Sequence, residues 1–543
     1  MQIASRKDQN VARSTADPEA TQIDPSQILD AAKWAQEQLA IDKMDYEENR
    51  NLARTLREYG KYDEAIEQFK ITSTLSKDNW LCQHGMADCY ATKECYSEAI
   101  EILEAAKEAA RNGEMGNDGS LNEQLADLNN DLASWNRSLG RNDEALAIYQ
   151  ERLKVFPEDY GTTFNLITLL HEQGKHQDLL AFLQSLKESK ESETGIDMLT
   201  RNFHEYYDRD IYRTALFASV MGDEQFEIIF DGYNKAVAAA KDLILKERKA
   251  GNATQEWSAL VCQMELMTHL ALLCQEYGVG NTERTSYAIE QLLRILEVNE
   301  SHNEWVEWKQ MTARSQLARL CFERIQESPE TFAELLGHLE YAASFRAVDD
   351  LTSGFYASHP ARLLAQYHLL QGSDEKTKSL LRPYIKLNMD LLSDDDPLND
   401  WQAYNGLAIH LMAAGREADA LAAWSLITPS ESAEGGNSGT DSQGSFLNLC
   451  DGDCGKRWTY ADDFYICKVC HYVQFNKECL DKHREETESP KVCSKKHEMF
   501  HVVAYDPEEQ KRVGEGNVKV GDEIVPVEEW LQRLRRDWNL KSE

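Results

Sequence analysis

Apolar residues recur at helical spacing along most of the chain, and one such pattern returns every 34 residues. This period places Ala65 over Ala99 and, further along, Ala145 over Leu179. The Gly-rich segment RNGEMGNDGS supplies extra length between the second and third copies. Internal repeats of this length predict a stack of small structural units rather than one globular core.

Each repeat predicts a pair of helices. The first helix carries a small residue (Ala53, Ala87 or Ala133) and ends near a glycine, whereas the second opens with acidic residues and carries an apolar stripe. Small residues at a helix crossing let the two backbones approach closely. Over residues 46–190 these units resemble tetratricopeptide repeats, and the resemblance implies a solenoid of antiparallel helix pairs.

The helical pattern continues to residue 427 and then stops. Residues 191–357 are amphipathic without a clear period, whereas residues 358–427 repeat at 43 residues and are again tetratricopeptide-like. The stretch 428–445 is rich in Ser and Gly and predicts a flexible linker, because it has few apolar side chains to bury. The chain ends in a predicted amphipathic helix, whose apolar face consists of Val527, Trp530, Leu531 and Leu534.

The cysteines fall into two groups. Six of the twelve are scattered through the helical region, where buried thiols of the core are the simplest interpretation. The other six lie between Cys450 and Cys493, and two histidines follow them. Clustered cysteines in a chain with no apparent export signal indicate metal binding rather than disulfides. The eight candidate ligands are Cys450, Cys454, Cys467, Cys470, Cys479, Cys493, His497 and His501.

Thiolate and imidazole ligands arranged in short-range pairs favour two tetrahedral, structural zinc ions. We expect a cross-braced arrangement. Cys450, Cys454, Cys479 and Cys493 would hold one ion. Cys467, Cys470, His497 and His501 would hold the other. Two alternatives stay open, because His483 could replace Cys479 or Cys493, and His471 is a weaker competitor.

The opening CDGDCGK, the central YICKVC and the terminal histidine pair resemble a ZZ-type zinc finger over residues 450–503. The first cysteine pair is spaced by three residues rather than the family's usual two, and Asn476 stands where the family has its fifth cysteine. Modules of this family bind the N-terminal amine of a peptide through carboxylates. By resemblance, Asp451 is the candidate peptide-binding residue.

The predicted fold is mainly α, a tetratricopeptide-like α-solenoid followed by a small zinc-stapled α+β module. The predicted segments are a flexible N-terminal tail (1–28), tetratricopeptide-like repeats (29–190), a degenerate helical solenoid (191–357), further tetratricopeptide-like helices (358–427), a Gly/Ser-rich linker (428–445), a ZZ-like zinc module (446–510) and a C-terminal extension with an amphipathic helix (511–543). This order of segments resembles the C-terminal part of fungal STAND-class repeat proteins, although the chain has no phosphate-binding loop of the G-x-x-x-x-G-K-[ST] type.

The net charge and the composition of the chain limit the classes of molecule that it is expected to bind. The chain has 94 acidic and 58 basic residues, a net charge of −36, which disfavours nucleic acid and anionic lipid as partners. No apolar run long enough to span a membrane is evident in the sequence, so we expect an intracellular, cytoplasmic protein. Motifs of nucleophilic hydrolases and zinc proteases are also missing from the sequence.

We therefore predict a non-enzymatic scaffold that binds protein or peptide partners through its helical repeats, with the two-zinc module as a second contact. The alternative is a RING-like ubiquitin-ligase subunit whose repeats recruit the substrate. In that case Trp458 and Phe475 are candidate anchors for a conjugating enzyme.

Overall fold

The computed structural model describes residues 46–75, 80–111, 121–191, 195–220, 222–277, 281–299, 304–325, 332–345, 351–393, 400–427, 448–452, 454, 457–458, 462–485 and 493–540. The predicted N-terminal tail and the predicted linker lie outside these residues. The chain divides into two compact units, called here the N-terminal unit (up to Gly232) and the C-terminal unit (from Tyr233 onward).

The N-terminal unit is a series of short helices, each packed on the next along the chain. Its helices are α1 (Tyr46–Glu58), α2 (Tyr62–Ser73), α3 (Trp80–Thr92), α4 (Tyr96–Arg111), α5 (Leu121–Ser138), α6 (Asn142–Val155), α7 (Tyr160–Glu172), α8 (His176–Glu188), α9 (Met198–Glu205) and α10 (Asp210–Ala218). A further helix, α11 (Asp223–Ala250), contains the division between the units. The four residues aligned by the 34-residue period, Ala65, Ala99, Ala145 and Leu179, are all fully buried at the contacts between helices.

The C-terminal unit continues the helical hairpins. Its helices are α12 (Ala253–Tyr277), α13 (Thr282–Leu296), α14 (Glu304–Ile325), α15 (Phe332–Ala343), α16 (Leu351–Leu370), α17 (Asp374–Leu391), α18 (Asp400–Ala413) and α19 (Glu417–Ser425). Consecutive helices pack as neighbours here too. The described part of the chain is therefore a helical repeat array, as the sequence predicted.

A small α+β module follows the last of these helices. It contains β1 (Asn448–Leu449), β2 (Arg457–Trp458), β3 (Phe464–Cys467), β4 (Gln474–Phe475), α20 (Lys477–Glu485) and β5 (Met499–Val502). β3 pairs antiparallel with both β4 and β5. Phe464, Ile466, Phe475 and Phe500 are all buried in the module. The predicted fold class, a mainly α solenoid-like array followed by a small α+β module, is thus confirmed.

The C-terminal extension folds back onto the helical array of its own unit. It contains α21 (Pro507–Val513), the hairpin β6 (Asn517–Val520) with β7 (Glu523–Pro526), and α22 (Val527–Asp537). The indole Nε1 of Trp530 donates a hydrogen bond to Asp419 Oδ1 of α19, at 2.9 Å. On the predicted apolar face, Trp530, Leu531 and Leu534 are buried, and Val527 is half-buried.

Glycines end the first helix of several hairpins. Gly60, Gly140, Gly174, Gly372 and Gly415 all have positive φ angles between 64° and 72°. This left-handed conformation suits glycine because it has no Cβ to clash with the backbone. The repeated turn glycines in the sequence therefore mark the points where the chain reverses.

Contrary to the expectation from the sequence, one of the described helices, α12, is long and apolar enough to cross a membrane by length and composition. Inside the protein, 67% of its most apolar stretch is buried. A buried core helix of a folded domain can have the same length and the same apolar composition as a membrane-spanning helix.

Another glycine, Gly85 on α3, provides a test of the repeat packing. A methyl group at this position would lie 2.4 Å from Phe69 Cζ on α2, and Phe69 is itself fully enclosed. We expect Gly85→Ala to lower the free energy of unfolding of the N-terminal unit by about 1–3 kcal/mol, because the site is overpacked. Urea unfolding measures this change.

The matched control is Gly337→Ala on α15, where nothing lies within 4 Å of the added methyl group. Here the better helix propensity of alanine should stabilise the C-terminal unit by up to about 1 kcal/mol. Stabilisation by both substitutions would contradict the close α2–α3 contact.

Candidate metal centre

Three cysteines and one histidine converge in the C-terminal module. The ligand atoms of Cys467, Cys470, Cys493 and His497 all lie within 4.8 Å of one another, and this group is called cluster A. The Sγ atom of Cys493 lies 3.6 Å from that of Cys470 and 3.5 Å from that of Cys467. His497 Nδ1 lies 3.3–3.5 Å from the three sulfurs. A tetrahedral zinc ion with ordinary Zn–S and Zn–N bonds has edges of about 3.5–3.8 Å, so the donor set fits zinc.

The local structure explains this convergence. Cys467 ends β3 and Cys470 follows in the turn, where the amides of Val469 and Cys470 donate to Cys467 Sγ at 3.3 and 3.1 Å. Such bonds favour the thiolate form of Cys467. Burial raises the pKa of Cys467, but the thiols of Cys470 and Cys493, together with these amides, outweigh burial and hold the pKa well below its usual value.

The outer nitrogen of His497 contacts a carboxylate of the helical array. His497 Nε2 lies 3.0 Å from Glu323 on α14, and Arg319 Nε donates to the same carboxylate at 2.8 Å. Burial raises the pKa of Glu323, but His497 and Arg319 outweigh it and lower the pKa to about 2. A carboxylate on the outer nitrogen fixes the imidazole so that Nδ1 is available to a metal ion.

A second group, called cluster B, contains Cys450, Cys454 and Cys479, whose sulfurs also lie within 4.8 Å of one another. Asn476 organises it. The amide N–H of Asn476 and its side-chain Nδ2 donate to Cys450 and Cys454, each at 3.5 Å, while its Oδ1 accepts from the amide of Cys479 at 2.7 Å. The residue that replaces the expected fifth cysteine thus orients the three thiols.

His483 lies one helical turn beyond Cys479 on α20. Its ring is 95% buried and stacks on Phe475 with the ring centroids 5.0 Å apart. Neither ring nitrogen has a hydrogen-bond partner among the described residues. Its nitrogens are not among the ligand atoms that lie within 4.8 Å of one another in cluster A or in cluster B, so a role for His483 as a zinc ligand stays a prediction.

The structure corrects the expected grouping at two positions. Cys493 belongs to cluster A rather than with Cys450, because it lies four residues before His497 in the same turn. His501 lies outside both clusters. It is on β5, where alternate side chains face opposite sides of the sheet, and its ring stacks on Tyr465 while Phe500 and Val502 are buried. Its side chain is 43% exposed and lies 3.5 Å from Asp463.

The candidate peptide-binding residue Asp451 makes a contact within the module. Its Oδ2 accepts a hydrogen bond from the amide of Gln474 at 2.7 Å, and its own amide donates back to Gln474 O at 2.9 Å. Asp451 therefore joins the cluster B loop to β4. Recognition of a peptide amine at this position stays a prediction.

One face of α16 contacts the turn between Cys467 and His471. His359 Nε2 donates to Val469 O at 2.7 Å, and Gln366 Nε2 donates to Lys468 O at 2.8 Å. Between them, Arg362 NH2 lies 3.3 Å from His471 Nδ1. Because a carbonyl oxygen can only accept, Nε2 of His359 is the donor, and Nδ1 of the neutral ring accepts from Ser315 Oγ at 2.5 Å. The sequence did not predict these contacts, because polar residues on an amphipathic helix also suit a solvated surface.

A third group lies in the N-terminal unit and contains His84, Asp88 and Asp131. His84 Nε2 is 2.6 Å from Asp131, and Asp88 pairs with Arg57 at 2.5 Å. These residues form an ion-pair network between neighbouring helices. The nearby Cys82 and Cys89 are fully buried in the core, as predicted, whereas Cys95 is only partly buried.

No family model matches the sequence, and no curated protein matches it. Among solved structures, the chain is similar to one described as the structure of Naa15/Naa10 bound to HypK-THB. The sequences are 17% identical, the match covers 76% of this chain and 67% of that chain, and the TM-score is 0.25.

Proposed function

We propose that this chain is a non-enzymatic scaffold that binds protein partners through its helical repeats. The observation that supports the proposal is a continuous polar face on the first helices of successive hairpins in the N-terminal unit. Arg57 on α1 pairs with Asp88 on α3 at 2.5 Å. His84 on α3 pairs with Asp131 on α5 at 2.6 Å. Arg137 on α5 pairs with Glu172 on α7.

These pairs place four helices from four hairpins side by side. An extended surface of this kind is how repeat proteins contact segments of other proteins. Arg50, Arg54 and Arg57 form one stripe on α1 at helical spacing, and Arg54 is the exposed member. Arg54 is therefore available to a partner without disturbing the helix contacts.

The test compares two charge reversals in the first hairpin. Arg54→Glu changes the polar face, whereas Lys70→Glu makes the same charge change on α2, where Lys70 is exposed and pairs only with Glu67 of its own helix among the contacts described. We expect quantitative affinity capture to identify a partner whose recovery falls at least tenfold for Arg54→Glu and stays unchanged for Lys70→Glu. Equal recovery with both variants would contradict the use of this face.

We propose that the C-terminal α+β module is a structural element that holds two zinc ions. Cluster A supplies three thiolates and one imidazole, a complete tetrahedral donor set. Cluster B supplies three thiolates, and His483 is the proposed fourth ligand. Closed sites of this kind leave no position for a substrate, which supports a structural rather than a catalytic role.

The alternative function, a ubiquitin-ligase subunit, has less support. A RING-like module needs an exposed apolar surface for the conjugating enzyme, but Phe475 is buried against His483. The side chain of Trp458 lies outside the described part of the chain.

A further inference from the structure

The strongest unexplained feature is a buried cation beside cluster A. Arg362 is only 3% exposed, and its Nε has no hydrogen-bond partner. Among the described residues no carboxylate pairs with its guanidinium, which lies over the ring of Tyr472 and beside His471. Burying an unpaired charge costs several kcal/mol, so a counter-charge is required.

The thiolates of cluster A provide that counter-charge. Arg362 contacts His471, the residue directly after Cys470. Burial lowers the pKa of Arg362, and the charges of Tyr472 and then Cys467 act in the opposite direction. Zinc bound by three thiolates and a neutral imidazole carries one net negative charge. Arg319 on α14 is also close to the thiols of Cys470 and Cys493, but it pairs with Glu323, so these two charges offset each other. With zinc bound, these charges therefore cancel, whereas without the zinc–thiolate centre Arg362 has no opposite charge beside it among the described residues.

We propose that Arg362 is the buried counter-cation of a zinc–tristhiolate centre in cluster A, and that zinc binding and packing of α16 on the module are coupled through its charge. The proposal rests on the zinc occupancy proposed above. The helical array then supplies two groups around the metal site that the module lacks. Glu323 orients His497, and Arg362 balances the thiolates. Both are positioning residues rather than ligands.

The test uses the full-length protein and a chromophoric chelator that competes for zinc. Arg362→Met removes the charge and keeps most of the apolar stem, whereas Arg362→Lys keeps the charge. We expect Arg362→Met to weaken the affinity of one zinc ion roughly 10–100-fold, the range found when groups around metal ligands are removed. Arg362→Lys should weaken the zinc affinity by less than about tenfold, because the Coulomb attraction between the cation and the thiolates remains.

Gln366→Met is the matched control on the same face of α16. It removes a neutral hydrogen bond to Lys468 O and should change the zinc affinity less than Arg362→Met does. Equal losses in Arg362→Met and Gln366→Met, or in Arg362→Met and Arg362→Lys, would overturn the role of charge. A wild-type protein without zinc would instead overturn the proposed occupancy, so the two failures are distinguishable.

Thermal unfolding with and without chelator provides a second measurement. Arg362→Met should lower the melting temperature of the zinc-loaded C-terminal unit. It should leave that of the chelated protein unchanged or raise it, because zinc removal unfolds the module and takes the thiolates away from Arg362. An equal decrease in both states would show an ordinary packing role and would contradict the proposal.

Discussion

Removal of zinc from the reduced protein is expected to unfold the C-terminal module and to lower the melting temperature of the C-terminal unit alone. The module has strands of two to four residues and a small apolar core, which cannot hold it together without the ions. A structural zinc ion contributes roughly 10–16 kcal/mol of apparent binding free energy in small modules. The loss should extend to α14 and α16, because Glu323 and Gln366 contact the module directly.

Elemental analysis and differential scanning calorimetry check this expectation. The native protein should contain about two zinc ions per chain if clusters A and B are both closed tetrahedral sites. Treatment with chelator and reductant should remove them and shift one unfolding transition. The transition of the N-terminal unit is the internal control, since both thiol clusters lie in the C-terminal unit. An unchanged calorimetric profile after complete zinc removal would refute a structural role for the metal.

The ligand assignment is tested by two histidine substitutions. His483→Ala should reduce the zinc content to about one ion per chain, because a site with three ligands holds zinc less tightly than a closed one. His501→Ala should leave it at about two, since His501 lies on the exposed face of β5. If His501→Ala loses one zinc ion and His483→Ala loses none, His501 is a ligand, as the sequence predicted.

The sequence predicted the repeats because their signal is local. Within the N-terminal unit, a 34-residue period of small and apolar residues specifies each helix contact, and Ala65, Ala99 and Ala145 are all fully buried. The turn glycines are equally local, because the positive φ angle needed at Gly60 or Gly140 restricts the residue type. Such features can be read from a single hairpin.

The grouping of the metal ligands is harder to predict from the sequence than the repeats are. Four candidate pairs are visible in the sequence, but their spacing does not show that Cys493 belongs with His497, four residues away, rather than with Cys479. The two histidines look like one pair, although His497 precedes β5 and His501 lies within it. Alternate side chains of a strand face opposite sides, so His501 can lie away from the cluster that contains His497.

The packing of the module on α14 and α16 could not be predicted at all. Its contacts join residues more than 100 positions apart, such as Gln366 and Lys468. A buried arginine has no distinct sequence signature, because most arginines in amphipathic helices face solvent. The physical reason for burying Arg362 is a charge that exists only once the thiolates are brought together.

The second large effect is expected at Trp530, where the C-terminal extension contacts α19. Trp530 is completely buried, and its indole donates to Asp419 Oδ1. Trp530→Ala should lower the free energy of unfolding of the C-terminal unit by about 3–5 kcal/mol, because it leaves a large cavity. Trp530→Phe should cost about 1–3 kcal/mol, since it keeps most of the apolar contact but leaves one oxygen of a buried carboxylate without its donor.

Urea unfolding of the zinc-loaded protein separates these contributions. Ile524→Ala on β7 is the control within the same extension, because Ile524 is 53% exposed and its loss should change the free energy of unfolding by less than about 0.5 kcal/mol. The Asp419 carboxylate also pairs with Arg416, which in turn pairs with Asp537 at the end of α22. If Trp530→Ala costs no more than Ile524→Ala, the extension does not pack on α19 in solution, and the ion pairs of Arg416 cannot hold it there.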